Sequence, residues 1–205
     1  TNPVASFGTN PVTTYNDSDG NVTFDLKCSD NLSVSALQLW GNWTGSWIVN
    51  YSNSSYTNDT WLNISVVGIS EGSGFVWGVY CNDTYGNSNR TTNRTLTVDK
   101  TSPTPSSSCS PSTVHIGGNV TCTCSGSDTT SGVNSTTATS YPLTNSTGTF
   151  SYLCIATDYA GNSASTTAYY TVESDNSGSS SSSSGGGSGA TYTVSTSAFE
   201  NGYSK

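Results

Sequence analysis

The residues that could do chemistry here are asparagines, cysteines and a few acids. Asparagine opens an N-x-Ser/Thr triplet fourteen times, at Asn16, Asn21, Asn31, Asn42, Asn50, Asn53, Asn58, Asn63, Asn82, Asn89, Asn93, Asn119, Asn134 and Asn145. Each such amide accepts an N-linked glycan where the chain meets an oligosaccharyltransferase, which places the protein outside the cell. A chain this rich in Ser and Thr gives roughly half as many by chance. Wherever strand parity can be assigned, however, the triplets fall on outward positions. Six cysteines, Cys28, Cys81, Cys109, Cys122, Cys124 and Cys154, lie in strand-like segments and not in paired CxxC spacings. With His115 the only histidine they make a poor zinc set, so disulfides and an oxidising exterior are expected.

Catalysis fails at the inventory. His115 sits beside Gly117-Gly118 with no nucleophile–base–orienter constellation to serve it. Asp17, Asp19, Asp30, Asp83, Asp128 and Asp158 occupy turn contexts, where capping is the plainer role than glycosidase chemistry. Asn16-Asp-Ser-Asp-Gly-Asn21 has the alternate oxygens of a calcium loop, with Asp17 and Asp19 as candidate ligands. The bidentate Glu that such a loop needs is replaced by Leu26, so a polar turn is the favoured reading. Lys27 has outward parity and Lys100 lies at a domain exit, which rules against an internal isopeptide bond. The chain is read as no enzyme, with no cofactor beyond covalent glycans.

Trp40, Trp43 and Trp47 surround one turn, where their faces could stack on sugars or on a neighbouring subunit. Mutual packing is the plainer alternative. Five Lys and Arg against thirteen Asp and Glu give a formal charge of −8. That balance disfavours nucleic acid and anionic membrane surfaces. No run approaches the ~20 apolar residues of a spanning helix. The chain contains no methionine, and Thr1 is expected to be a processed start or the start of a fragment.

The elements that must position these residues are strands. No 3.6-residue apolar period occurs, whereas period-two alternation recurs throughout. The first half predicts strands at 3–7, 21–29, 33–43, 47–51, 61–67, 74–82 and 92–99. Val22, Phe24, Leu26 and Cys28 share a face, as do Phe75, Trp77, Val79 and Cys81. Seven short strands with a cysteine on the second and the sixth predict an immunoglobulin-like sandwich over 1–100, closed by Cys28–Cys81. Trp77 has inward parity. A stiff Pro/Ser linker is expected at 101–107, then a smaller sandwich at 108–173. Within it, Val120, Cys122 and Cys124 line one strand and Phe150, Tyr152, Cys154 and Ala156 another, with 165–172 closing the sheet.

Asp83-Thr-Tyr-Gly-Asn87 and Asp158-Tyr-Ala-Gly-Asn162 match as the same turn in both units, so the chain is a tandem repeat. Aligned on that turn, Cys154 lies earlier on its strand than Cys81, which selects Cys122 as its partner. Cys109 and Cys124 are then left to bridge across a hairpin at Gly117-Gly118. Residues 174–189 form a Ser/Gly linker, and 190–199 alternate again with Tyr192 and Val194 on one side and Phe199 at the end. A lone alternating segment must pair with something, which makes it a candidate intersubunit strand or the start of a further domain.

Trp40-Gly-Asn-Trp-Thr-Gly-Ser-Trp47, Val79-Tyr-Cys-Asn-Asp83 and Leu96-Thr-Val-Asp-Lys-Thr-Ser-Pro103 resemble Ig-like repeats of glycosylated archaeal surface proteins from small-genome lineages. Ser108-Cys-Ser-Pro-Ser-Thr-Val114, Asn119-Val-Thr-Cys-Thr-Cys124 and Thr157-Asp-Tyr-Ala-Gly-Asn162 resemble a second repeat type from such proteins. The resemblance covers 1–173, implies an extracellular structural or adhesive role and supplies no catalytic residues. The expectation is therefore a secreted, all-β, tandem-sandwich subunit of a filament or surface layer. Its expected partner is another copy of itself, with other surface proteins or glycans as further partners. An adhesin binding glycans through Trp40, Trp43 and Trp47 is the alternative.

Overall fold

Alternation along 22–28 makes a strand with one apolar face, and that face needs a second sheet to cover it. The computed structural model describes residues 1–12, 14–138 and 142–175. It places nine strands in the first unit: β1 (Val4–Phe7), β2 (Tyr15–Asp17), β3 (Val22–Ser29), β4 (Val34–Gly41), β5 (Ile48–Asn53), β6 (Leu62–Val66), β7 (Gly72–Asp83), β8 (Ser88–Arg90) and β9 (Arg94–Val98). Six more form the second: β10 (Thr104–Ser110), β11 (Thr113–His115), β12 (Thr121–Ser127), β13 (Val133–Ala138), β14 (Gly148–Asp158) and β15 (Ser163–Glu173). The described chain is all-β and forms two sandwiches in tandem.

In the first sandwich a sheet ordered β1-β3-β6 packs against one ordered β2-β9-β7-β4-β5, with β8 paired to β7. Val22, Phe24, Leu26 and Cys28 meet Leu37, Leu39, Trp77, Val79, Cys81, Leu96 and Val98 in one core. Trp77 is fully buried, edge-on to Phe7 and Phe24 at 4.8 Å. In the second, β10-β12 packs against β11-β15-β14-β13, around Tyr152, Cys154, Ala156, Tyr170 and Val172. Both units begin alike. Each first strand switches sheets at a cis X–Pro bond, Asn10–Pro11 or Ser110–Pro111, and continues parallel to the unit's last strand.

Four expectations change. The linker read at 101–107 is shorter, because β10 begins at Thr104 and pairs with β12 over seven positions. Pro105 is tolerated there because β10 is an edge strand of its sheet. The short strands β2 and β8 were not expected.

The disulfides of the second sandwich also differ from expectation. Cys28–Cys81 forms as read, but the other bridges are Cys109–Cys122 and Cys124–Cys154, not Cys122–Cys154 and Cys109–Cys124. Register is the cause. Cys109 lies directly opposite Cys122 on β10 and β12, with Cα atoms 4.1 Å apart, and Ser107 lies opposite Cys124. Cys122 and Cys124 share a face, so once Cys109 takes the first, the second crosses the core to Cys154 with a Cα separation of 5.3 Å. The segment expected as a simple hairpin instead carries β11, which joins the opposite sheet. The expected strand with Tyr192, Val194 and Phe199 lies outside the described residues.

Candidate functional site

The surface offers four features to weigh, and the sequon asparagines come first. None of the fourteen is buried. Their amides nevertheless differ in what they already do. Asn50 donates both Nδ2 hydrogens, to Gly41 O and Ile48 O at 3.0 Å each, pinning the turn between β4 and β5. Asn58 is held from both ends, donating to Asp30 O at 2.6 Å and accepting from Asp30 N at 2.9 Å. Asn63 Nδ2 donates to Asp25 Oδ1 at 2.5 Å. By contrast Asn21, Asn31, Asn42, Asn53 and Asn89 accept through the oxygen, which leaves the nitrogen for a sugar. Asn16, Asn82, Asn93, Asn119, Asn134 and Asn145 are at least partly exposed.

The tryptophan cluster is divided by the fold. Trp43 is a core residue, 9% exposed and stacked on Phe24 at 5.5 Å, so it offers no face to a ligand. Its ring folds back over Gly41, where a Cβ would lie 2.1 Å from it. Trp40 and Trp47 remain on the outer sheet face with ring centroids 6.2 Å apart. Tyr80 joins them 5.0 Å from Trp40, and the Arg90 guanidinium lies 5.8 Å from the Tyr80 ring while donating to its hydroxyl. Tyr80 and Arg90 were not singled out from sequence. Tyr80 has the outward parity of its strand, but its neighbours come from β4 and β8, and that pairing is long-range.

A cleft of about 550 Å³ is lined by Phe7, Gly8, Thr9, Asp25, Trp61 and Asn63. Its buried carboxylate is fully engaged: Asp25 accepts from Thr9 Oγ1, Asn10 N and Asn63 Nδ2. Trp61 is half-exposed at the rim with the Lys27 ammonium 5.2 Å from its ring. That ammonium also pairs with Asp59 at 2.8 Å. These groups hold loops to strands.

The acids behave as turn caps, as expected, and do more besides. Asp17 Oδ1 accepts from Asp19 N and Gly20 N, and Asp19 Oδ1 from Asn21 N. The amide of Asn21 holds the Asp19 carboxyl below the usual carboxylate range. Those bonds make the segment a turn. The two matched turns are built alike: Asp83 accepts from the backbone and side-chain nitrogens of Asn87, and Asp158 from those of Asn162. Gly86 and Gly161 supply the positive φ, 87° and 94°. In the first, hydrogen bonding from the Asn87 side chain outweighs desolvation and lowers the Asp83 carboxyl.

The second of these turns also makes the junction. Asn162 Nδ2 reaches back to Asp99 O at 2.7 Å, while Ser131 donates its backbone N and its Oγ to Asp99 Oδ2. Glu71 adds bonds from Thr101 Oγ1 and Thr130 Oγ1. Asp99, Asp128 and Asp158 come together here, with one oxygen of each within 4.8 Å of the others. Carboxylate oxygen is the donor type hard cations take, though three carboxylates fall short of the ~6–8 oxygens of a calcium site. Asp17 and Asp19 belong to no such group among the described residues. Asp128 and Asp158 had been read only as caps, because their approach to Asp99 depends on tertiary packing.

No protein-family model matches the chain, and no curated protein matches it. Solved structures do. The fibronectin(III)-like modules of CbhA from Clostridium thermocellum match over 83% of this chain and 95% of theirs, at 12% identity and a TM-score of 0.46. The D00-D0 domain of intimin matches over 83% and 100%, at 10% identity and a TM-score of 0.35. The Ig1-2 module of the Drosophila receptor protein tyrosine phosphatase DLAR matches over 84% and 100%, at 17% identity and a TM-score of 0.32. These are likenesses of chain course, and the two-sandwich architecture rests on the strand pairing itself.

Proposed function

We propose that this chain is a structural subunit of an extracellular filament or cell-surface layer, N-glycosylated and assembling with further copies of itself. The observation that carries the reading is the junction. A buried Asp99 takes hydrogen bonds from Ser131, and Asn162 donates to its carbonyl, so two sandwiches closed by three disulfides are fixed to each other. A stiff two-domain unit is what a load-bearing subunit needs. Disulfides persist in oxidising compartments, which supports a secreted location. The sequons, none of them buried, support a glycosylated surface, and the archaeal surface-repeat resemblance agrees with both.

The adhesin alternative is the weaker reading. One of its three tryptophans is in the core, and Trp40 is in ring contact with both Trp47 and Tyr80. The test is sedimentation and electron microscopy of the full, glycosylated chain over a range of concentrations. Ordered polymers are expected. A chain that stays monomeric throughout while binding oligosaccharides would replace the structural reading with the adhesive one.

A further inference from the structure

Among the described residues the second sandwich has one strand fewer beside β12 than the first has beside β3. In the first, β3 lies between β1 and β6, whereas β12 pairs with β10 alone. β4 and β7 bracket β5 and β6, whereas residues 139–147 separate β13 from β14, and the described part of them, 142–147, forms no strand. One edge of β12 therefore has no strand neighbour among the described residues. Burial records the consequence. Val22, Phe24, Leu26 and Cys28 on β3 are at most 1% exposed, but Cys122, Cys124 and Gly126 on β12 remain partly exposed.

The strand at this edge is also uncharged. Proteins blunt open edges with charges, prolines, bulges or covering groups. The edge strands β2, β5 and β13 carry the sequons Asn16, Asn53 and Asn134. β12 reads Thr-Cys-Thr-Cys-Ser-Gly-Ser, with no charge, no proline and no sequon asparagine of its own, the nearest being Asn119 just before its first residue, and its register with β10 is unbroken.

We propose that residues 190–199 of a second copy add to the free edge of β12 as the missing strand. That segment alternates, is uncharged and is long enough to span β12. The chain leaves β15 at Glu173, the pole opposite the Asp158–Asn162 turn that holds the first sandwich. The intervening residues 174–189 can reach ~50 Å extended, against the ~10 Å between the sheets of one sandwich. A tail meant for its own sandwich needs far less. Strand addition would supply main-chain hydrogen bonds for affinity and seat Tyr192 and Val194 on one face. The inference rests on the structural-subunit reading and names its contact.

The test is hydrogen exchange of the β12 amides in the full chain, as monomer and as polymer, beside a Thr193→Pro variant. The substitution lies in the tail, so both sandwiches stay intact while a strand hydrogen bond is lost. Roughly tenfold or greater slowing at β12 is expected in the polymer and not in the variant. A synthetic 190–199 peptide added to the variant should restore the slowing without polymer growth. Polymers whose β12 stays unprotected would overturn the inference and leave the subunit reading standing. Protection already complete in dilute monomer would overturn it too, by showing the tail bound to its own sandwich. A chain that never polymerises, yet whose β12 is protected by the peptide, would support the acceptor edge and reject the subunit reading.

Discussion

At Asn50 a sequon and a structural duty compete for one nitrogen. Both Nδ2 hydrogens are already donated, and an attached sugar would take one. Glycopeptide mapping is therefore expected to find Asn50 bare while Asn82, Asn93 and Asn134 carry glycans. A fully occupied Asn50 would mean the turn between β4 and β5 is held differently. Asp83 makes a second residue-scale prediction. Its carboxyl is lowered chiefly by the Asn87 side chain, so the charged form is favoured in the folded state. Its contribution is present above the unfolded value, near 4, and is lost as pH falls through the lower folded value. Asp83→Asn should reduce stability at pH 7, and urea titrations should show the gap to the unsubstituted protein narrowing on acidification.

Strands were legible where they were long enough to show parity. The seven expected in the first sandwich all appear, because half-buried sheets alternate and these do. β2 and β8 are three residues each and show no period. β10, Thr-Pro-Ser-Ser-Ser-Cys-Ser, has a proline and serines where apolar residues would announce a strand. Trp43 was legible and passed over: alternation carried on from Leu37, Leu39 and Gly41 already points it inward. The disulfides of the second sandwich were not, since parity treats Cys122 and Cys124 alike and only register separates them. Non-reduced peptide mapping is expected to return Cys109–Cys122 and Cys124–Cys154. Replacing the latter pair by serine should cost about 3–4 kcal/mol on the chain-entropy account. Gly41→Ala would push Trp43 out of its place over β4, for about 1–3 kcal/mol, with a red shift in tryptophan emission.

At the scale of the whole molecule, the repeated turn provides a matched pair of probes. Asn87 and Asn162 make the same local bonds, but only Asn162 also reaches Asp99 and Thr101. Asn162→Ala should cost about 1–3 kcal/mol and split the calorimetric transition into two, while Asn87→Ala leaves one. The turn was visible in the sequence as a repeat. Its use as a clamp was not, because the partner carbonyl belongs to the other sandwich. The central claim, a disulfide-closed and sugar-bearing subunit for the cell exterior, is tested most directly by intact-mass analysis of the native protein before and after reduction and deglycosylation. The account predicts a mass well above the bare polypeptide, falling to it on deglycosylation, with a gain of hydrogens on reduction matching three bridges. A native chain at its bare mass, with thiols that react before any reduction, would contradict it.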